Sequence, residues 1–120
     1  MINVQLLERT LAHIVAFPEL HHQTGFFEVN EFGVSACFAG RSLLLAGYKH
    51  LLPEREGARG CIVQHPETKE TLAVWHEARR ILGLGKEQAS SLFSSINTRH
   101  MLECKVKELL NQDRYCDLVS

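Results

Sequence analysis

The side chains best suited to chemistry are four thiols and seven imidazoles, and their sharpest combination is Cys37 with His21 and His22. A thiol in the first turn of a helix feels the positive end of the helix dipole, which favours the thiolate, and a neighbouring imidazole could take its proton. Those residues would then form a nucleophile and its base. Against this, Cys37 lies between Ala36 and Phe38 in an apolar run, and free cysteine is among the most buried residue types. The expectation is a packed, inert thiol. As metal ligands the same three residues fall short: adjacent histidines on an extended segment point to opposite sides, no fourth ligand is evident, and there is no Cys-x-x-Cys pair. No metal and no cofactor are expected. Nothing in the chain resembles a phosphate loop, a Gly-x-Ser-x-Gly elbow, a dinucleotide fingerprint or a His-Glu-x-x-His helix, so an enzyme is not expected either.

Two further groupings could recognise a partner. The turn Gly83-Leu84-Gly85 between two short helical stripes suggests a helix-turn-helix across Val74–Phe93, with Gln88, Ser90 and Ser91 aimed at bases. Four basic residues against two acidic ones between Leu72 and Arg99 supply little charge for neutralising phosphates, which argues against nucleic acid. The second grouping is aromatic. Phe26, Phe27, Tyr48 and Trp75, the last beside His76, are candidate anchors for a protein partner, because interface hot spots favour aromatics with polar neighbours. Phe26 and Phe27 also suit the end of the core, with one ring buried and one partly exposed. Replacing Phe26 and Trp75 together by Ala is expected to weaken partner capture and leave the fold intact.

These residues sit on a chain of 120 residues, 45% hydrophobic, with a formal charge of −1, which is enough for one hydrophobic core without disulfides. Cys37, Cys61, Cys104 and Cys116 are separated by 24, 43 and 12 residues, a spacing that matches no small disulfide framework. Reduced thiols in a cytoplasmic protein are expected. The longest apolar stretch, Leu43–Gly47, is far short of a membrane span, and Glu8, Arg9 and His13 interrupt any signal-peptide core.

The elements that must position the candidate residues follow from periodicity. Val4, Leu7, Leu11 and Ile14 form one stripe of a helix over Val4–Phe17, capped by Asn3 and stopped by Pro18. Glu19–Gly33 reads as an ordered loop with glycine turns at Gly25 and Gly33 and a third aromatic, Phe32; Phe27 and Val29 could make one short strand. Ser35 suits the N-cap of a buried helix over Ala36–Ala46, stopped by Gly47, whose small residues Ala36, Ala39 and Gly40 would let another backbone approach or a second copy pair. Tyr48–Gly60 reads as a solvated connection. Cys61–Val63 and Thr71–Ala73 should form a hairpin around Pro66-Glu67-Thr68-Lys69, with Ile62 and Leu72 facing the helices. Helices then follow over Val74–Leu82, over Lys86–Phe93, and from Asn97 or Thr98 with Leu102, Val106 and Leu109 buried. The expected fold is mainly α (α+β): about five helices and one small hairpin in a single compact domain over 1–111, with a frayed polar tail at 112–120.

Cys37-Phe38-Ala39-Gly40 opening a Leu-rich helix, then a hairpin, Ala78-Arg79-Arg80-Ile81-Leu82-Gly83-Leu84, Gln88-Ala89-Ser90-Ser91-Leu92-Phe93 and Asn97-Thr98, resemble a group of small uncharacterised proteins of actinobacteria and their bacteriophages. The resemblance spans about Leu6 to Leu110. It departs from the group at Arg41, where a bulky or aromatic residue commonly follows the Ala-Gly pair. The resemblance implies an accessory protein that binds and modulates a host macromolecule, most simply a host protein, and it brings no catalytic residues.

Overall fold

The first helix, α1 (Val4–Ala16), is set by its ends. Asn3 Oδ1 accepts from the amide of Leu6 at 3.2 Å, capping the helix start. The same residue donates from its backbone to Leu82 O at 2.9 Å and from Nδ2 to Ile81 O at 3.2 Å. One asparagine therefore caps α1 and ties it to the last turn of another helix. Pro18 ends α1 as expected and opens a single 3-10 turn over Pro18–Leu20. The structure is a computed structural model that describes residues 2–21, 23, 26–30, 33–52 and 57–119; the side chains of 30, 33 and 112–119 lie outside the description. Gly25, His22 and Phe32 fall outside it as well.

Within the segment read as a loop, the short strand expected at Phe27 and Val29 forms, and it belongs to a hairpin that extends past Gly33. Strands β1 (Phe27–Asn30) and β2 (Gly33–Ala36) pair antiparallel, with Phe27 opposite Ala36 and Val29 opposite Val34. Each strand is only four residues long and polar Glu28 and Ser35 interrupt the apolar residues, too short a pattern for periodicity to reveal. Ser35 consequently belongs to β2, where its hydroxyl donates to Glu28 O at 3.2 Å, and the N-cap of α2 (Phe38–Leu45) is Cys37. Gly40 is required where β1 meets α2: a Cβ there would lie 2.3 Å from the carbonyl oxygen of Phe26. The small-residue face of α2 is thus filled by the chain's own hairpin, with Ala36 and Ala39 fully buried.

The connection after α2 also carries strands. β3 (Lys49–His50) and β4 (Arg59–Gly60) flank residues 53–56, which are outside the description. Tyr48 and Ala58 are buried, so this stretch is only partly solvated. β4 joins β1 to give the order β2-β1-β4, and β3 joins the expected hairpin, β5 (Ile62–Gln64) with β6 (Thr71–Ala73), to give β3-β5-β6. In that hairpin Val63 faces Leu72 and Ile62 faces Ala73. The inward pair is therefore Val63 and Leu72, while Ile62 is 40% exposed. Since side chains alternate along a strand, a frame error of one residue exchanges the two faces.

Helix α3 (Val74–Leu82) starts directly from β6 and ends at Gly83, whose φ of 69° is the left-handed stop expected of it. Leu84 folds back into the core. α4 (Lys86–Leu92) begins at Gly85, whose amide donates to Gln88 Oε1 at 2.7 Å, and α5 (Arg99–Val119) begins at Thr98, whose hydroxyl accepts from Met101 at 3.2 Å. Leu102, Val106 and Leu109 are buried as expected. The expected frayed tail lies on the residues of α5 whose side chains are outside the description. Five helices and two three-stranded antiparallel sheets among the described residues make a mixed α+β globule that is 54% helical, with more strand than a single hairpin.

Candidate functional site

Cys37 is fully enclosed and its thiol is pushed up to about 11 by that burial, far outside the range of a nucleophile. Burial outweighs its N-cap position, because removing a thiolate from water costs more than nearby helix amides return. His21, the described imidazole of the expected pair, has Nε2 at 2.8 Å from Gln23 Oε1, and that same amide oxygen accepts from the Phe38 amide at 3.2 Å. Gln23 also donates to Leu92 O and Ser94 O. The polar groups beside Cys37 thus serve to lock the loop onto α2 and α4. No group of three or more metal-ligating side chains occurs among the described residues.

Of the helix-turn-helix candidates, Gln88 is bonded within the chain, while Ser90 and Ser91 are exposed. Arg79 Nε donates to Leu84 O at 3.2 Å across the turn, Gln88 caps α4, and Arg80 pairs with Glu77 through Nε and Nη2, both at 2.7 Å. Glu77 was not singled out by the sequence, yet it is the buried centre of a cluster with buried Tyr48 and exposed Arg80. The Tyr48 hydroxyl donates to Glu77 Oε2, and Arg80 Nη2 lies 3.3 Å from the Tyr48 oxygen. Hydrogen bonding to Arg80 holds the Glu77 carboxyl below the usual carboxylate range in spite of its burial. Burial, then the adjacent Glu77, pushes the Tyr48 phenol up to about 12. A buried glutamate three residues before an arginine, on a helix facing a tyrosine, is a structural clamp of α3 onto the start of β3.

The proposed aromatic anchors divide between core and surface. Phe27 and Tyr48 are buried, so neither offers surface to a partner, and Phe26 is half-buried, the division expected of the two phenylalanines. Trp75 is half-buried in the first turn of α3, with its ring edge-on to Phe93 at the end of α4 at 6.1 Å; exposed His76 lies edge-on to it at 5.2 Å.

An open apolar concavity lies elsewhere. A groove of about 530 Å³ runs between α1 and α5, lined by Leu11, Ala12, Val15 and Ala16 from the first helix and by Val106 and Leu110 from the last. Glu8, Glu103 and Lys107 form its rim, with no ion pair to them among the described residues. Val15 is 47% exposed, and Phe17 just beyond the helix end is 46% exposed. The lining positions on α1 recur at three- and four-residue spacing, as do those on α5, so each helix contributes one stripe. Sequence periodicity placed Leu11 in the core row, whereas the buried row is Leu6, Leu7, Thr10 and Ile14. The available signal was an apolar arc, extended by Ala12, Val15 and Ala16, wider than one packing partner covers.

No protein-family model, curated protein or solved structure matches this chain. No helix among the described residues is long and apolar enough to cross a membrane.

Proposed function

We propose that this chain is a small non-enzymatic accessory protein, of the phage or actinobacterial kind its resemblance implies, that binds and modulates a host protein in the cytoplasm. The observation that carries this reading is the open groove between α1 and α5. An apolar trough with buried Val106 and half-buried Leu11 and Leu110 in its lining, and two small residues, Ala12 and Ala16, beside them, suits an amphipathic helix of the partner, laid along it with anchors at one-turn intervals. The acidic rim residues Glu8 and Glu103 outnumber Lys107, which favours a helix with basic flanks. The buried thiol and the internally bonded arginines support binding without chemistry.

The test uses a labelled helical peptide with Leu at one-turn spacing and Lys at both flanks. Saturable binding that weakens at least about tenfold in Val15→Asp and falls with added salt supports the groove, since a buried charge and the loss of apolar contact each cost about 1–3 kcal/mol. Binding unchanged in Val15→Asp but abolished by Phe26→Ala with Trp75→Ala would return the surface to the aromatics. Concentration-dependent dimerisation that is lost in Val15→Asp would make the occupant a second copy and refute the host-helix reading.

A further inference from the structure

His100 and Cys104 stand one turn apart near the start of α5, both exposed, with Sγ 3.7 Å from Nε2. Side chains four residues apart share one face of a helix, so the backbone alone brings this thiol and imidazole together. At about 100° per residue, their midpoint lies about 180° around α5 from the buried row of Leu102, Val106 and Leu109. The pair belongs neither to the core nor to the lining of the α1–α5 groove. A thiol is a weak hydrogen-bond donor, and on an exposed helix face its contact with an imidazole contributes little to folding.

The separation of the two atoms matches the bite of one metal ion. Zinc holds a cysteine sulfur at about 2.3 Å and a histidine nitrogen at about 2.1 Å, and a tetrahedral angle between them sets the two donors about 3.6 Å apart. Thiolate sulfur with imidazole nitrogen suits zinc and cobalt(II), whereas magnesium and calcium take oxygen ligands. The backbone that carries the pair is fixed at its start, where the Thr98 hydroxyl accepts from the Met101 amide at 3.2 Å and the Thr98 carbonyl from the Leu102 amide at 3.0 Å. His-x3-Cys on a helix is a spacing that Cys37 and its candidate histidines lack.

We propose that His100 and Cys104 form a two-ligand site for a divalent cation of the zinc class. The Cys104 thiol gives its proton to solvent and its sulfur bonds the ion as thiolate, neutral His100 bonds it through the Nε2 lone pair, and no electron changes hands. No third metal-ligating side chain joins them among the described residues. The remaining two tetrahedral positions are taken by water or by the same pair on a second copy, and both sources complete one coordination chemistry. The site faces away from the groove, and its test does not depend on the helix-binding reading.

The experiment titrates the reduced full chain with cobalt(II), which reports a bound thiolate by a charge-transfer band in the near ultraviolet. The band should saturate at no more than one ion per chain, be abolished by zinc, and persist in a large excess of magnesium. It should disappear in Cys104→Ala, and its affinity should fall at least about tenfold in His100→Ala, because even outer-sphere partners of a metal ligand are worth about 10–100-fold. Cys61→Ala, which removes another exposed thiol, should leave it unchanged. One ion per chain on a monomer assigns the open positions to water, and one ion per two chains with a doubled sedimenting mass assigns them to a second copy; either supports the proposal. No band, a band that survives Cys104→Ala, one lost in Cys61→Ala, or one indifferent to His100→Ala overturns it. Should a variant fail to fold, zinc added to the wild type must slow alkylation of Cys104 by iodoacetamide and spare Cys61, since a metal-bound sulfur is a poorer nucleophile. A Cys104 rate unchanged by zinc, or an equal slowing at Cys61, overturns the proposal.

Discussion

Substituting Gly40 by alanine isolates the contact that seats the first hairpin on α2. The added carbon would lie 2.3 Å from Phe26 O, 3.0 Å from a ring carbon of Phe27 and 3.1 Å from the Ala36 methyl. Relief requires a movement of about 1 Å, since carbon and oxygen rarely approach within about 3.2 Å without strain. The oxygen belongs to backbone next to Phe27, which is paired on one side with Ala36 and on the other with Gly60. The strand cannot slide away without breaking one of those ladders, so the upper part of the usual overpacking cost, about 3 kcal/mol, applies. Alanine is the better helix former by about 1 kcal/mol, which offsets a third of that. A net loss of about 2 kcal/mol should lower the melting temperature by about 8 °C in a domain of this size. Urea denaturation followed by circular dichroism should show a lower midpoint with an unchanged slope. If Gly40→Ala matches or exceeds the wild type, helix propensity has won, and the close approach of Phe26 to α2 is wrong.

Two other perturbations address the buried polar groups. Because the folded carboxyl of Glu77 is held below its unfolded value, its contribution to stability is complete above the ordinary carboxylate range and is lost as pH falls through the folded value. Acid titration of stability should therefore be shallower in Glu77→Gln, which should also cost about 1–3 kcal/mol at neutral pH by weakening the bonds to Tyr48 and Arg80; an unchanged acid limb would contradict the clamp. Cys37 should react with iodoacetamide at mildly alkaline pH at least about a hundredfold more slowly than a free thiol, since burial raises it to about 11, while exposed Cys61 and Cys104 serve as internal controls by peptide mass mapping. Labelling of Cys37 at the rate of the other two would show it to be accessible.

Helices are legible where the apolar stripe runs for two or more turns and the end residue has a recognisable capping or breaking role, as at Asn3, Pro18, Gly47, Gly83 and Thr98. The strands were less so. Phe27–Asn30 and Gly33–Ala36 each contain four residues, and β3 and β4 contain two, so pairing is decided by partners distant in the chain rather than by local pattern. The hairpin at 62–73 was identified, but its inward face was misassigned because Ile62 and Val63 are equally apolar and only the register distinguishes them. The aromatics chosen for contact were chosen by type, and type does not separate Phe26 from Phe27 or reveal that Tyr48 is bonded to Glu77. The groove was hidden for the opposite reason: its residues look like ordinary core until a second helix covers only part of them.

Asn3 has a mechanical consequence. Since one side chain and its backbone amide hold both the opening turn of α1 and the closing carbonyls of α3, those two helix ends should unlatch together, and amide exchange at Leu6 and Leu7 should track that at Gly83 and Leu84. A strain applied to one wall of the α1–α5 trough would thereby reach the end of α3 through the bonds of one residue as well as through the shared core.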